Sequence, residues 1–588
     1  MQKTQSILCI VFLSLAQISI SAPVDDFNNL LDEVWEWRLA EFPMFASQLG
    51  DRRYNDRWSD ESLEAVARRQ RQTREFLQRV YAIDRSELDD ENQLNYELFR
   101  RLLQDSVDSF AFNDHLLPFS QRGGVQNLDN NTNSLSFATV KDYEDWLARM
   151  GKIDVVIEQV IDRAERGRKS GVMSPRILMQ RIPDQIAVQL VDDPEASPFN
   201  KVFTEMPDSI SDDDRKRLRT LARDTISKTV LPAYRKLDRY FSGTYLPASR
   251  ESIGLSELPS GNEWYEYLAR QFTTTQMSPD EIHRLGLDEV RRIRDEMQEI
   301  IDELGFGGSF SDFLTFLRSD PQFYFDNPDD LYEAYLATSK RIDPELVRLF
   351  GKLPRMPYGV KPIPDSIAPD TTTAYYSRPA ADGSRAGTYW VNLYKPEVRP
   401  KYEIEVLSVH EAMPGHHLQI ALQQELGDMP NFRRFTGFTA FVEGWGLYSE
   451  GLGRELGLYT DLYSKFGALT YEMWRAVRLV VDTGIHYRGW TRQQAIDFFK
   501  DNAAKTELDI INEIDRYIGM PGQALAYKIG QLKMKAIRTR AELALGDDFD
   551  VRAFHDELLG GGALPLDILE QRMDAWLETQ LQERRASH

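Results

Sequence analysis

Three histidines and one glutamate lie within eight consecutive positions of this chain, although the whole sequence has only eight histidines. They are His410, Glu411, His416 and His417, in the run Val-His-Glu-Ala-Met-Pro-Gly-His-His-Leu. Imidazole nitrogens bind zinc, and a glutamate beside the first histidine is placed to take a proton from a water molecule. The run therefore predicts a hydrolytic site with His410 and His416 as zinc ligands. Zinc and the general base Glu411 would together activate water.

The spacing within this run does not fit one regular helix. Zinc helices of this kind have their second histidine four residues after the first, and Pro414 occupies that position here. Six residues advance a helix by about 240° and 9 Å, so His410 and His416 would diverge. Pro414 cannot continue the helix, whereas Gly415 has a freer backbone. We therefore expect a bulge at this Pro-Gly pair that returns His416 to the metal. His417 is the rival ligand, and three structural histidines around a kinked helix are the competing interpretation.

A second segment supplies the third ligand. Glu443 and Glu450 are seven residues apart, which places them on one face of a predicted helix. Glu443 is the predicted third ligand of one Zn²⁺ per chain. Glu450 is predicted to hydrogen-bond a ligand histidine from behind.

Further candidates lie outside these two motifs. Arg478 and His486 form a polar stripe with Asp482 on a predicted helix. Arg478 is a candidate for binding a substrate carboxylate, and His486 for assisting the oxyanion. A buried Arg–Asp pair that fixes helix packing is the alternative. His417, if it is not a ligand, is a candidate to hydrogen-bond substrate or Glu450.

The segment 387–393, which contains Tyr389, reads as a strand. It either pairs with an extended peptide by β-addition, which makes Tyr389 a substrate contact, or is an ordinary strand of a sheet.

Helical periodicity dominates the rest of the chain. Before the metal run the predicted helices are 26–40, 60–82, 89–108, 141–167, 212–241, 279–304 and 329–350. A proline-rich connector at 352–371 and strands at 371–376 and 387–393 follow, with a turn at Asp382-Gly383. Helices then resume at 402–426, 437–456, 461–488, 491–503, 507–516, 520–545 and 564–584. We expect a mainly α fold with a small β-sheet beside the metal helix.

Composition limits the compartment and the partners. The 588 residues carry a net charge of −22, which argues against nucleic acid and anionic membranes as partners. Lys3, an apolar run at 7–13 and the small residues Ser19, Ser21 and Ala22 predict a signal peptide at 1–21, and hence a periplasmic or secreted protein. No later segment reaches the ~18 apolar residues of a membrane span. Cys9, the only cysteine, would be removed, so a metal must bind to histidines and carboxylates.

Two known groups resemble these motifs. The segment Phe441-Val442-Glu443 with Glu450 resembles the third-ligand helix of thimet-type oligopeptidases, and Gly415-His416-x-Leu418 resembles their second-histidine step. The order of strand, His-Glu helix, Glu helix and late tyrosine is similar to that of neurolysin and angiotensin-converting enzyme. The runs 410–419, 478–486 and 520–530 resemble domain-of-unknown-function family 885, a family of bacterial exported proteins, over nearly all of the mature chain.

This resemblance implies a gluzincin-type zinc metallopeptidase that hydrolyses short peptides. It implies a zincin-like, neurolysin-like helical fold with two lobes around a cleft, an N-terminal helical lobe at 22–365 and a metal-binding catalytic lobe at 366–588. It also implies that Tyr527 is the donor that stabilises the oxyanion. The alternatives are a metal-dependent amidase or esterase and a non-catalytic periplasmic binding protein with a degenerate motif.

Overall fold

The computed structural model describes residues 23–587, apart from 366–367, 369–371, 381–382, 384 and 428. The predicted signal peptide, including Cys9, lies outside the described residues. So do Thr371, where the first predicted strand begins, and Asp382 of the predicted turn.

Helices make up most of the described chain, which confirms the mainly α prediction. The α-helices before the sheet are α1 (Pro23–Glu41), α2 (Pro43–Gln48), α3 (Leu63–Tyr81), α4 (Asp90–Ser109), α5 (Val140–Met150), α6 (Ile153–Ser170), α7 (Arg176–Met179), α8 (Ile182–Ala187), α9 (Lys201–Thr204), α10 (Asp212–Thr225), α11 (Leu231–Tyr240), α12 (Leu246–Ala248), α13 (Gly261–Thr273), α14 (Pro279–Glu303), α15 (Phe310–Ser319) and α16 (Pro328–Ile342). The predicted helix at 141–167 is thus two helices, and the one at 212–241 contains a π turn at Ile226–Val230.

The helices after the sheet carry the candidate site. They are α17 (Ile404–Glu411), α18 (His416–Glu425), α19 (Asn431–Phe435), α20 (Thr439–Leu452), α21 (Leu462–His486), α22 (Arg492–Asn502), α23 (Glu507–Gly519), α24 (Ala526–Leu545), α25 (Val551–Gly560) and α26 (Leu566–Ser587). Every helix in the described part of the chain is too short or too polar to cross a lipid bilayer.

The β region is a three-stranded sheet with the order β1-β3-β2, formed by β1 (Tyr358–Pro362), β2 (Ala374–Ser377) and β3 (Gly387–Val391). β3 pairs with β1 in parallel and with β2 in antiparallel orientation. The connector predicted at 352–371 therefore contains a strand. Its proline, Pro362, is tolerated because it ends an edge strand, where a missing N–H leaves no gap in a central ladder.

One hydrophobic core extends from Phe27 in α1 to Met573 in α26. Within it α14 packs along α21, and Gly286 makes the approach possible, because a Cβ there would lie 2.7 Å from the Cβ of Leu479. A capping box starts α14: Ser278 N–H donates to the Glu281 carboxylate at 2.8 Å. Since α14 precedes residue 365 and α21 follows it, the core continues across the predicted lobe boundary, and that division stays a prediction.

A glycine pair sets the distance between α20 and α24. Gly444 on α20 faces Gly530 on α24, and a Cβ on Gly444 would lie 2.5 Å from the Cα of Gly530. A Cβ on Gly530 would overlap the carbonyl oxygen of Ala440. These two helices carry Glu443 and Tyr527, so the close crossing brings both candidate residues toward the same region.

We predict that Gly530→Ala destabilises the protein by about 1–3 kcal/mol, because the added methyl group forces the two helices apart. Gly451→Ala, on the exposed face of α20 with open space around it, is the matched control. It should be neutral or stabilising by up to ~1 kcal/mol, since alanine favours helix. Chemical denaturation of both variants measures the difference, and equal stabilities would contradict the packing argument.

Candidate active site

The helix that begins the metal run breaks in the middle of the run. α17 ends at Glu411 and α18 begins at His416, so the predicted single helix at 402–426 is wrong. The break follows from Pro414, which cannot donate to the helical ladder, and from Gly415, where a Cβ would overlap the carbonyl oxygen of His410. The expected bulge is thus a complete interruption, after which a new helix starts.

This interruption brings the predicted ligands together. The Nε2 atoms of His410 and His416 lie 3.8 Å and 3.4 Å from Oε2 of Glu443. The two imidazole rings are 4.7 Å apart between centroids and nearly perpendicular. Among the described residues this is the one group of three or more potential ligands whose atoms all lie within 4.8 Å of one another.

Two of the three separations between the ligand atoms are close to the spacing that zinc requires, and all three atoms lie within 4.8 Å of one another. Tetrahedral ligands at about 2.1 Å from a metal lie about 3.4 Å from one another. The observed separations of 3.4 Å and 3.8 Å are close to that value. Two histidines and one glutamate are also a donor set of catalytic zinc sites with an open fourth position. The residues therefore fit a zinc ion.

Glu450 lies behind His410, as the sequence predicts. Nδ1–H of His410 donates to Oε1 of Glu450 at 2.7 Å, which leaves Nε2 directed at Glu443. Arg475 forms an ion pair with the same carboxylate at 3.3 Å. Gly446 makes room for the imidazole, since a Cβ there would lie 2.7 Å from its Cε1 atom.

The electrostatics of the cluster favour positive charge. Burial lowers the pKa of His410, but the carboxylates of Glu443 and Glu450 outweigh it and raise the pKa to about 9. Burial raises the pKa of Glu443, but His416 and His410 outweigh it and hold that pKa well below its ordinary value. A half-buried carboxylate between two imidazoles is thus an environment that attracts a cation.

Glu411 and Tyr527 flank this cluster. Glu411 is half-buried at the end of α17, next to His410. Tyr527 is the second residue of α24. Burial and the charge of Glu443 raise its pKa, while Arg478 and Arg516 lower it. Tyr527 therefore lies within electrostatic reach of Glu443, one of the three potential ligands, and of two arginines.

His417 lies on the other side of its helix and faces the sheet. Its Nε2–H donates to the carbonyl of Met356 at 3.0 Å, and Tyr376 of β2 donates its hydroxyl to Nδ1 at 2.8 Å. Burial lowers its pKa to about 4, so the ring is neutral. Both nitrogens are engaged by the protein, so none faces the metal cluster, a substrate or Glu450. The structure places this residue as a support between α18 and the sheet.

Tyr389 does not reach a substrate. It is fully buried in β3, packs edge-on against Tyr335 and lies 3.5 Å from the Ser408 hydroxyl of α17. Both edges of β3 are already paired, so β-addition of a peptide to this strand is wrong. The tyrosine instead supports the helix that carries His410.

His486 is also engaged on both nitrogens, which corrects its assignment as an oxyanion donor. Leu255 N–H donates to Nδ1 at 3.1 Å, and Nε2–H donates to the carbonyl of Tyr517 at 3.0 Å. Burial lowers its pKa to about 4. Asp482 accepts hydrogen bonds from Tyr265 and Gly522, and burial raises its pKa to about 7.

Arg478 pairs with a residue that sequence reasoning missed. Its Nη2 lies 3.1 Å from Glu513 of α23, and its Nε donates to the Tyr517 hydroxyl at 2.9 Å. The expected Arg–Asp pair with Asp482 is therefore replaced by a pair with another helix. The sequence pattern that could have identified this partner is the spacing of Glu513, Arg516 and Tyr517. These residues share one face of α23 at positions i, i+3 and i+4.

Comparisons place the chain in a family. A model described as "Bacterial protein of unknown function (DUF885)" matches residues 43–573. The chain belongs to this family. No curated protein matches it. A crystal structure of a "putative lipoprotein" from Colwellia psychrerythraea is 28% identical to this DUF885 chain, covers 95% of it and 100% of its own chain, and superposes with a TM-score of 0.89.

A second solved structure resembles the DUF885 chain in fold alone. It is a "putative lipoprotein of unknown function" from Shewanella oneidensis, with 18% identity and a TM-score of 0.72. The match covers 94% of this chain and 100% of that one. The helical architecture is thus shared at low sequence identity.

We predict that His416→Ala abolishes stoichiometric zinc binding, whereas His417→Ala retains it, because His416 faces Glu443 and His417 does not. Elemental analysis of zinc per chain after dialysis measures the difference. Circular dichroism checks that both variants are folded, since His417 is buried. Loss of zinc in His417→Ala alone would show that the ligand assignment is reversed.

Proposed function

We propose that this chain is an exported zinc peptidase of the gluzincin type that hydrolyses short peptides. The observation that carries the proposal is the convergence of His410, His416 and Glu443 beside Glu411. Contacts between two histidines are common in protein cores. Three potential ligands at a spacing close to that of a zinc site, with the carboxylate of Glu411 beside the first, match the pattern of catalytic zinc sites.

Each residue has a role that its position supports. A zinc ion held by the three ligands supplies Lewis-acid polarisation and lowers the pKa of a water molecule. Glu411 accepts the proton of the attacking water and delivers it to the leaving amine. Tyr527 donates its hydroxyl to the oxyanion. Glu450 keeps the imidazole of His410 oriented.

Two adjoining cavities support a peptide as the substrate. One has a volume of about 560 Å³ and is bordered by Thr439, one helical turn before Glu443, and by residues 519–521. The other, about 650 Å³, shares Leu102 and Ser106 of α4 with it and has a mixed lining of aromatic, aliphatic and polar side chains. Neighbouring cavities of this size accommodate a few residues of an extended chain but no folded protein. We infer from this space and the sequence resemblance a neurolysin-like cleft between two lobes.

Export is supported by the composition of residues 1–21 and by the lipoprotein description of the Colwellia psychrerythraea structure. The net charge of −22 argues against binding to nucleic acid.

A metal-dependent amidase or esterase would use the same ligands and the same base, and a non-catalytic binding protein would retain them without turnover. Zinc analysis together with cleavage of a peptide library separates these functions. We expect one zinc per chain and peptide cleavage that a chelator abolishes and zinc restores. Turnover of simple amides or esters alone, or a metal-free inert protein, would refute the proposal.

We predict that Glu411→Gln lowers kcat by about 10²–10⁴-fold or more while zinc stays bound, because a base is lost and no ligand is. Peptide hydrolysis and zinc content are measured on the same preparation. Glu397→Gln, at an exposed site in a short 3₁₀ helix (Pro396–Val398), is the control and should behave as wild type. Activity of the Glu411 variant within about tenfold of wild type would exclude it as the base.

We predict that Tyr527→Phe slows turnover about 10²–10³-fold with unchanged zinc content, the scale of losing one oxyanion donor. The ring stays in place, so the change should appear in kcat more than in KM. Tyr394→Phe, at an exposed tyrosine, serves as the control. A wild-type kcat in the Tyr527 variant would assign that hydroxyl a purely structural role.

A further inference from the structure

A cluster of arginines beside Tyr527 carries more positive charge than its carboxylate partner neutralises. Arg478 and Arg516 both pair with Glu513, at 3.1 Å and 2.9 Å. Arg122, whose pKa is lowered by partial burial and by the charge of Arg516, lies close to them and forms no ion pair within the described part of the chain. Arg478 and Arg516 thus share one carboxylate, and the charge of Arg122 nearby adds to the excess. Such an excess is unexpected in a chain with a net charge of −22.

One guanidinium nitrogen of this cluster lacks a partner. Arg478 is 4% exposed, and its Nη1 is buried with no hydrogen-bond acceptor among the described residues. The other two nitrogens are held by Tyr517 and Glu513, and the group lies over the ring of Tyr527 with Cζ 4.3 Å from the centroid. A buried, rigidly held N–H group without an acceptor is costly, and an anionic ligand would satisfy it.

The cluster lies beside Tyr527, and sequence neighbours of two of its arginines line the smaller of the two cavities. The charges of Glu443, Arg478 and Arg516 all act on the pKa of Tyr527. The 560 Å³ cavity is lined by Ser120 and Gln121, which directly precede Arg122. It is also lined by residues 518–521, at the end of α23 and just beyond it, two to five residues after Arg516.

We propose that Arg122, Arg478 and Arg516 form a carboxylate-binding subsite next to the scissile bond, so that the enzyme selects peptides with an anionic group on that side. The guanidinium fork matches a carboxylate in two parallel hydrogen bonds. The carboxylate is either the free C-terminus of a short peptide or an acidic side chain. This inference rests on the proposed peptidase function and specifies its substrate class.

Binding to an inactive protein tests the subsite separately from hydrolysis. The probes are acetyl-trialanine as the free acid, its C-terminal amide, and an amide of the same length that ends in glutamate. Calorimetry with the Glu411→Gln protein measures their dissociation constants. The free acid should bind about tenfold to a hundredfold more tightly than the trialanine amide, the scale of a hydrogen-bonded charge pair. The preference should weaken as salt is raised.

Two variants assign the preference to the cluster, each in the Glu411→Gln background. Arg122→Gln removes the charge of an exposed side chain, and Arg478→Lys keeps the charge but removes the fork. Both should reduce the preference for the free acid. Arg239→Gln on α11, exposed and without an ion pair among the described residues, is the matched control and should retain it. Thermal melting checks that Arg478→Lys is folded.

The outcomes distinguish a C-terminal carboxylate from an acidic side chain. They also distinguish failure of the subsite from failure of the peptidase function. Tight binding of the free acid alone supports a C-terminal carboxylate, and equally tight binding of the glutamate amide supports an acidic side chain. Equal affinity for acid and trialanine amide, or a preference that survives in both folded variants, overturns the subsite. Selective binding of carboxylates by a protein that cleaves no peptide would retain the subsite and refute the peptidase.

Discussion

The site depends on the interruption of one helix. Pro414 prevents the helix from continuing past His410, and Gly415 allows the chain to pass against the carbonyl oxygen of that histidine. The indole of Trp445 donates to the carbonyl of Pro414 at 2.9 Å, which satisfies a group that the break leaves free and ties it to α20. Because α20 also carries Glu443, this hydrogen bond fixes the third potential ligand relative to the first two.

The packing of α20 against α24 and α21 stabilises that arrangement. The Gly444–Gly530 contact lets α20 and α24 approach closely, so Glu443 and Tyr527 come from neighbouring backbones. The carboxylate of Glu450 links His410 to Arg475 of α21, which adds a third helix to the same network. Preorganisation of this kind keeps ligand atoms in place without rearrangement, which is what a catalytic metal site requires.

Several polar residues near the site serve the fold. His417 joins α18 to the sheet, His486 joins α21 to Leu255 and to Tyr517 of α23, and Tyr389 supports α17. All three are buried with their polar atoms paired, as buried polar groups in proteins generally are. Residue type alone does not separate such supports from catalytic groups, because both occupy the same helices and strands within a few residues of the site.

The sequence by itself determined the helical class, the presence of three histidines and a glutamate within residues 410–417, and the placement of Glu443 and Glu450 on one helix. Periodicity and spacing along one helix are local properties, which is why the sequence alone shows them. It also predicted that Pro414 and Gly415 disrupt the helix. The tertiary structure decided which of His416 and His417 faces Glu443. It also decided that the proline-rich connector forms a strand and that Arg478 pairs with Glu513 instead of Asp482. These outcomes depend on contacts between segments distant in sequence, where side-chain direction is set by the packing of whole helices and the sheet.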